Sequence, residues 1–449
     1  MKKIIQLIVI VTSLNVSAQN TVLDQYIAMA LQENLDLRKQ EFSVKESLEG
    51  LKQAKGLFFP EITANARYQF ARGGRKIDIP VGDMLNPIYN TLNEITNSNT
   101  FPQIENMEVD FIANNYHETF LSSTINILNT DIYYNYKARK RMIDVNTAKL
   151  NAFTNILKQQ IANAYYEYLM TLQTRQILEA NKITVLELKK LNERLYAVGL
   201  KTKDAITDAE YEVSLIESKL YDAEKNIEKS KSYFNYLLNR DLDEDVLVDE
   251  KVIQNNDIYI LEVEPFEGLV NNRAELAQLS SLIKVNENLL KMNKGSVWIP
   301  KFYVTGNVGF QGFKYKFNND QFFQYIQLGM RWTVFNGGIN RSKVKEARIT
   351  LNSTQLQYED LRNKLNLEIK DSYNELKSAV KMYETEKKSF EFASETFALT
   401  LKRYDQNQAL WVDLVDKKNK LLTAELRLNI SKYNVLIKRT NYNKSISIL

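Results

Sequence analysis

Val297-Trp298-Ile299-Pro300-Lys301-Phe302 repeats an earlier stretch, Leu57-Phe58-Phe59-Pro60-Glu61-Ile62. Pro300 follows Pro60 by 240 residues. Downstream, Phe335-Asn336-Gly337 answers Leu128-Asn129-Thr130, and Tyr404-Asp405-Gln406-Asn407 answers Tyr196-Ala197-Val198-Gly199. Asn336 follows Asn129 by 207 residues and Tyr404 follows Tyr196 by 208. A near-constant spacing after the first pair marks the duplication of one unit. The drop from 240 to 207 puts a long insertion into the first copy, between residues 61 and 128. The expected division is a first repeat over 19–240, with a long loop at 71–118, and a second over 241–449, opened by an acidic linker at 241–264.

Glycine and proline mark the elements. Between Thr130 and Glu264 the only such residue is Gly199, and after Gly338 there is none. Stretches so free of breakers predict two long helices, about Ile132–Tyr196 and Arg341–Arg403. At ~1.5 Å per residue each is roughly 95 to 100 Å long. Leu150, Phe153, Leu157, Ile161, Ala164, Tyr168 and Leu172 form one apolar stripe. Leu361, Leu365, Ile369, Tyr373, Leu376, Val380 and Tyr383 form its counterpart. Their spacing averages about 3.7 residues, nearer an 11-residue repeat than a heptad, which favours nearly straight side-by-side packing. Shorter helices flank them, about Thr21–Lys55 and Asp204–Leu238 in the first copy, Pro265–Lys294 and Asp413–Arg439 in the second. Two short helices end to end match one long one in length.

Between opening helix and long helix, each copy holds two alternating stretches. Phe302, Val304, Gly306, Val308 and Phe310 alternate with polar neighbours, as do Ile326, Leu328, Met330, Trp332 and Val334. Ile62, Ala64, Ala66, Tyr68 and Phe70 do so in the first copy, while Phe120–Leu128 is a poorer match. Ten-residue strands with one apolar face suit a transmembrane barrel. The same alternation suits a half-buried sheet in a soluble domain.

The N-terminus tips that balance. Lys2, Lys3, the apolar run Ile4–Val16 and the small residues Val16-Ser17-Ala18 read as an export signal over 1–18, with Gln19 starting the mature chain. No later stretch reaches ~18 consecutive apolar residues, so a membrane crossing requires a closed sheet. Four strands cannot enclose a lumen, and several chains must share one wall.

Composition excludes several classes. The chain has no cysteine, hence no disulfide, thiolate site or cysteine nucleophile. A net charge of +4, or +2 without Lys2 and Lys3, makes no electrostatic case for nucleic acid. His117 is the only histidine and reads as an isolated surface residue. No Ser-His-Asp set or phosphate-cradling loop is visible, so the chain is not expected to be an enzyme and needs no cofactor or metal.

The order of these units, together with Trp332-Thr333-Val334-Phe335-Asn336-Gly337-Gly338 at the strand-to-helix turn and Tyr196-Ala197-Val198-Gly199-Leu200 at the first tip, resembles the TolC-type outer-membrane efflux protein family. The resemblance covers essentially the whole mature chain. It implies a mainly α fold with a transmembrane β part, in which a homotrimer forms an α-helical tube continuous with a shared β-barrel. It also implies an exit duct for efflux or type I secretion, set in outer-membrane lipid and crossing the periplasm. A periplasmic adaptor and a proton- or ATP-driven inner-membrane pump would be its partners.

By the same resemblance Tyr404 is a gate tyrosine, bonded to a neighbouring helix pair. Asp413 and Asp416 become an acidic pair ringing the constriction, although aspartate at a helix start also serves as a cap. Two carboxylates one turn apart share a face, and three chains set six of them around one aperture. Asn407 stands where relatives often have glycine, and Ala409 where they have a basic residue. Gly199 permits the first tip's turn, Asp204 caps the next helix, and Leu200 is either an exposed adaptor contact or a buried tip residue. A soluble periplasmic coiled-coil scaffold with a small sheet is the alternative function.

Overall fold

The structure, a computed structural model, describes residues 21–254 and 269–448. The expected export signal and residues 255–264 of the expected linker lie outside these residues, as does Pro265.

The part of the chain expected to be the first repeat opens with α1 (Val22–Glu33) and α2 (Leu35–Gly56). Strand β1 (Glu61–Gln69) follows, and the chain returns in β4 (Tyr116–Leu128). The long helix α4 (Thr130–Ala197) and then α5 (Asp204–Leu237) complete the copy. The second repeat runs α7 (Ala274–Trp298), β5 (Lys301–Phe313), β6 (Phe322–Arg331), α8 (Ile339–Asp405) and α9 (Trp411–Ser445). Both long helices start and stop within two residues of the expected bounds. Among the described residues no helix is long and apolar enough to cross a membrane.

The opening helix is broken where one continuous helix is expected. Asn34 leaves the helical region at φ −64° and ψ 124°. Its side-chain oxygen accepts from Asp36 and Leu37 N–H, each at 3.0 Å, and so caps α2. Its amide donates to the Leu237 carbonyl at 2.9 Å, tying the break to the end of α5.

The chain divides into two compact units. One comprises residues 21–47, 142–254, 269–283 and 353–448; the other comprises 48–141 and 284–352. In the first unit, Leu157, Ile161, Ala164 and Tyr168 of the α4 stripe are buried with Tyr26, Ala30, Phe234 and Tyr433. Leu365, Leu376 and Tyr383 of the α8 stripe are buried too. Residues 241–254 carry the short helix α6 (Glu250–Gln254) and are pinned down: Asn235 donates to the Leu242 and Glu244 carbonyls, and Leu247 N–H donates to Tyr26 Oη.

The second unit is built on a four-stranded antiparallel sheet in the order β1–β4–β5–β6. The pairing Ile62–Ser123–Gly306–Ile326 runs straight across it and places most of the aliphatic residues of the four strands on one face, while Phe120, Phe313 and Phe323 fall on the other. At its β6 edge the aliphatic face is bare: Ile326 is 81% and Leu328 78% exposed. Arg67, Thr124, Tyr303, Asn307 and Gln327 stand on the other. β1 and β6 each have one unpaired edge in the chain.

The weak alternation of β4 has two causes. The register shifts between Asn126 and Leu128, which breaks the period. Phe120 also faces the polar side, where Gly309 opposite makes room; a Cβ there would lie 2.4 Å from that of Phe120. His117 is corrected from a surface residue to a buried one. Its Nε2 lies 3.0 Å from both the Lys316 carbonyl and Gln321 Oε1, and its ring packs on Tyr315 and Phe317. The hairpin 314–321 therefore buries it, from a place some 200 residues along the chain.

The insertion is folded. It holds strands β2 (Lys76–Ile79) and β3 (Met107–Asp110), paired with each other, and helix α3 (Val81–Thr96). Asn86 and Asn93 each use a side-chain amide as a backbone mimic, closing on Ile104 and Phe101.

Candidate functional site at the helix tips

Both tips use one backbone solution. At the first, Gly199 sits at φ +74°, its N–H donates to Tyr196 O, and Leu200 N–H donates to Leu195 O. At the second, Asn407 sits at φ +57°, its N–H donates to Tyr404 O, and Gln408 N–H donates to Arg403 O. This is a Schellman-type cap in both. Asparagine supports the left-handed residue that glycine supports in the first copy.

The side chains differ. Tyr196 is 47% exposed, whereas Tyr404 has no exposed surface. Tyr404 Oη donates to Asn192 Oδ1 on α4 at 2.6 Å, and Asn192 Nδ2 donates to the Ala205 carbonyl of α5 at 2.7 Å. One buried amide thus links the second tip to both helices of the first. Burial pushes the Tyr404 hydroxyl up to about 12, so it remains protonated and a donor at neutral pH. Lys201 Nζ lies 4.6 Å above the Tyr404 ring. Leu188, Leu191, Leu195, Phe397 and Leu414 bury the tyrosine, with Ala409 and Trp411 packed against them. Ala409 takes an apolar place where a charge would be poorly solvated.

A second tie lies one turn further into the bundle. Lys418 of α9 is 1% exposed, and its ammonium donates to Glu212 of α5 at 2.7 Å. Removing one partner of such a pair strands the other charge, at a cost of about 3–5 kcal/mol.

Asp413 and Asp416 are exposed and one turn apart on α9. Neither is the N-cap, which is Leu410. Asp413 stands in the first turn, where the helix dipole favours it. Asp416 is already paired, accepting from Lys420 at 2.9 Å and Lys417 at 3.1 Å. Hydrogen bonds from Lys420 and then Lys417 hold its carboxyl below the usual carboxylate range. The acidic pair is therefore unequal: Asp416 is locally neutralised, and Asp413 carries no such lysine contacts.

At the first tip Leu200 is exposed, at 51%, beside exposed Val198. Asp204 does not cap α5; Lys203 is the N-cap residue, in helical conformation, and no side chain bonds the free N–H groups. Asp204 instead opens the first turn, contributing charge to the dipole rather than a bond. At the strand-to-helix turn, Asn336 Oδ1 accepts from Asn340 N–H at 3.3 Å, while Gly337 and Gly338 take φ +64° and +84°. Nothing lies within 4 Å of a Cβ built at either glycine, so the backbone angle, not crowding, requires them.

Sequence reasoning missed Asn192, Glu212 and Lys418. Each carries a polar group inside an apolar run. Lys418 sits between Leu414 and Leu422 at steps of four, and Glu212 between Ala209 and Ile216, all of them buried. Opposite charges inside two stripes are a readable sign of a buried pair.

Residues 293–444 match the family described as outer membrane efflux protein. No curated protein sequence matches the chain significantly. Among solved structures, the outer-membrane channel OprN is 14% identical, with a TM-score of 0.78, over 95% of this chain and 89% of its own. The outer membrane protein VceC of Vibrio cholerae is 16% identical, with a TM-score of 0.74, over 94% and 95%. The CmeC outer membrane channel of Campylobacter jejuni is 14% identical, with a TM-score of 0.74, over 95% and 85%. Residues 293–444 thus carry the match to the outer membrane efflux protein family, and the chain as a whole has the fold of the TolC-type outer-membrane channels.

Proposed function

We propose that this chain is one third of a passive exit duct in the outer membrane. The observation that carries the reading is the sheet. Its apolar face is exposed, its other face is polar, and its two edges are unpaired. Exposed edges invite pairing and are a liability in an isolated chain. The four strands alternate in direction, so β6 of one copy meets β1 of the next in an antiparallel sense. Three copies then close a barrel of about a dozen strands, with the apolar face toward lipid and the polar face toward water. We read 19–240 and 241–449 as the two repeats that supply the strands in pairs.

The long helices line the periplasmic part of the duct, and the tips set its inner aperture. Tyr404 with Asn192, and Lys418 with Glu212, hold the second tip against the first. Asp413 of three copies gives the aperture its negative field. Exposed Leu200 and Val198 suit an apolar contact with an adaptor, which joins the duct to a proton- or ATP-driven pump in the inner membrane. A soluble scaffold would leave the bare sheet face unexplained.

Membrane fractionation, gel mobility before and after heating, and planar-bilayer conductance test the reading. The expected results are an outer-membrane protein, an oligomer that dissociates on heating, and ion conduction. Recovery wholly in the soluble fraction would defeat it.

A further inference from the structure

Arg331, the last residue of β6, projects on the polar face of the sheet and has no ion-pair partner among the described residues. It borders an open hollow of about 410 Å³ at the end of the sheet that leads into α4 and α8. Beside it stands Lys301, its cross-strand partner. The Lys301 ammonium is bonded to Asp131, which also accepts from Ser296 Oγ.

The rest of the lining is neutral and rich in donors. Tyr303 lies flat across Gly329, where a Cβ would fall 2.3 Å from its ring. Thr305 and Thr124 pair their hydroxyls across the strands at 3.2 Å. Asn126 and Asn129 add two amides. No carboxylate lines the hollow. Of the other charges of this face, Arg67 is paired with Glu118 at 3.0 Å, and Glu61 is the cross-strand neighbour of Thr124, a carboxylate that flanks the hollow on the side away from Arg331.

We propose that this hollow is a binding station for anionic groups of the sulfonate, phosphate or carboxylate kind, with Arg331 as its principal contact. A guanidinium offers five donors in a fixed fork that matches such oxyanions. Three hydroxyls and two amides add donors around the guanidinium, while the Lys301 ammonium is already shared with Asp131. Its place on the pore wall rests on the proposed duct; the hollow itself is built within one chain.

The test is a titration of the purified full chain, in neutral detergent, with the trisulfonate dye pyranine, read by fluorescence anisotropy. Saturable binding is expected, with inorganic phosphate competing. Arg331→Gln should raise the dissociation constant about tenfold, the loss of one charge-assisted contact, and Arg331→Lys should retain part of the affinity. Absence of saturable binding, or equal binding by Arg331→Gln, would overturn the proposal. Because one chain builds the hollow, the titration reads out in a monomer as well as an oligomer. A conducting oligomer that ignores the dye sinks this station alone; a non-conducting monomer that binds it sinks the duct alone.

Discussion

The two tips share a turn and differ in what they hold. Gly199 and Asn407 close the same cap, 208 residues apart, yet Tyr196 is exposed and Tyr404 is buried on Asn192. The backbone is the same at both turns, and the side chains differ in what they contact. Both tips present apolar groups to solvent, Val198 and Leu200 at the first and Leu410 and Val412 at the second, but the first leaves its tyrosine exposed as well. The second is tied inward by one amide relay and one buried ion pair.

The largest expected break in that contrast is Lys418→Met. It strands the Glu212 carboxylate and should cost about 3–5 kcal/mol in chemical denaturation of the solubilised protein. Adding Glu212→Leu should restore most of the loss, since an apolar pair of similar size replaces the ion pair. Failure of the double variant to recover would mean that the pair is not isolated energetically.

Tyr404→Phe comes next. It leaves Asn192 Oδ1 buried without its donor, at about 1–3 kcal/mol, and should raise bilayer conductance by loosening the second tip. Tyr196→Phe, the same change in the other repeat, should stay within about 0.5 kcal/mol and leave conductance unchanged. Equal effects would erase the distinction between the tips.

The caps sharpen the comparison further. Gly199→Ala forces a Cβ into the left-handed region and should cost about 1–2 kcal/mol. Asn407→Gly should be neutral or stabilise by less than about 1 kcal/mol. A loss at Gly199 without one at Asn407, read by thermal unfolding, would show that asparagine stands in for glycine at the second turn.

The smallest effects concern charge. Asp413→Ala should weaken block by multivalent cations more than Asp416→Ala does, because Lys417 and Lys420 already neutralise Asp416. The Asp416 carboxyl is held low, so its ion pairs are present at neutral pH and persist as pH falls through the ordinary aspartate value of about 4. They are lost only in stronger acid. Side-chain carbon shifts of Asp416 across that range check the sign.

Much of this was legible in the residues themselves. The stripe from Leu150 to Leu172 faces the core because its period matches a nearly straight helix. β5 was readable because it keeps the two-residue period over most of its length; β6 was readable only in part, since the period holds from Ile326 to Met330, the strand starts earlier at Phe322, and it ends at Arg331 before the expected Trp332 and Val334. β4 was not, since its register shifts between Asn126 and Leu128, and Phe120 takes the polar face only because Gly309, far along the chain, leaves room opposite it. His117 escaped for the same reason: the hairpin that buries it lies far along the chain. At the tips, Tyr404 was identified by resemblance, but its acceptor was hidden because nothing local distinguishes Asn192 from a solvent-facing amide. The lysines beside Asp416 were visible in the sequence, and their effect required knowing that they turn toward it.

One experiment tests the shared wall directly, and the absence of native cysteine makes it clean. Cysteines introduced one at a time at Ile62, Ala64 and Ala66 of β1 are combined with single cysteines at Gln324, Ile326 and Leu328 of β6, and the chains are oxidised in isolated membranes. The account predicts that at least one combination yields a disulfide-linked trimer on a non-reducing gel. Monomers alone from every combination would contradict it.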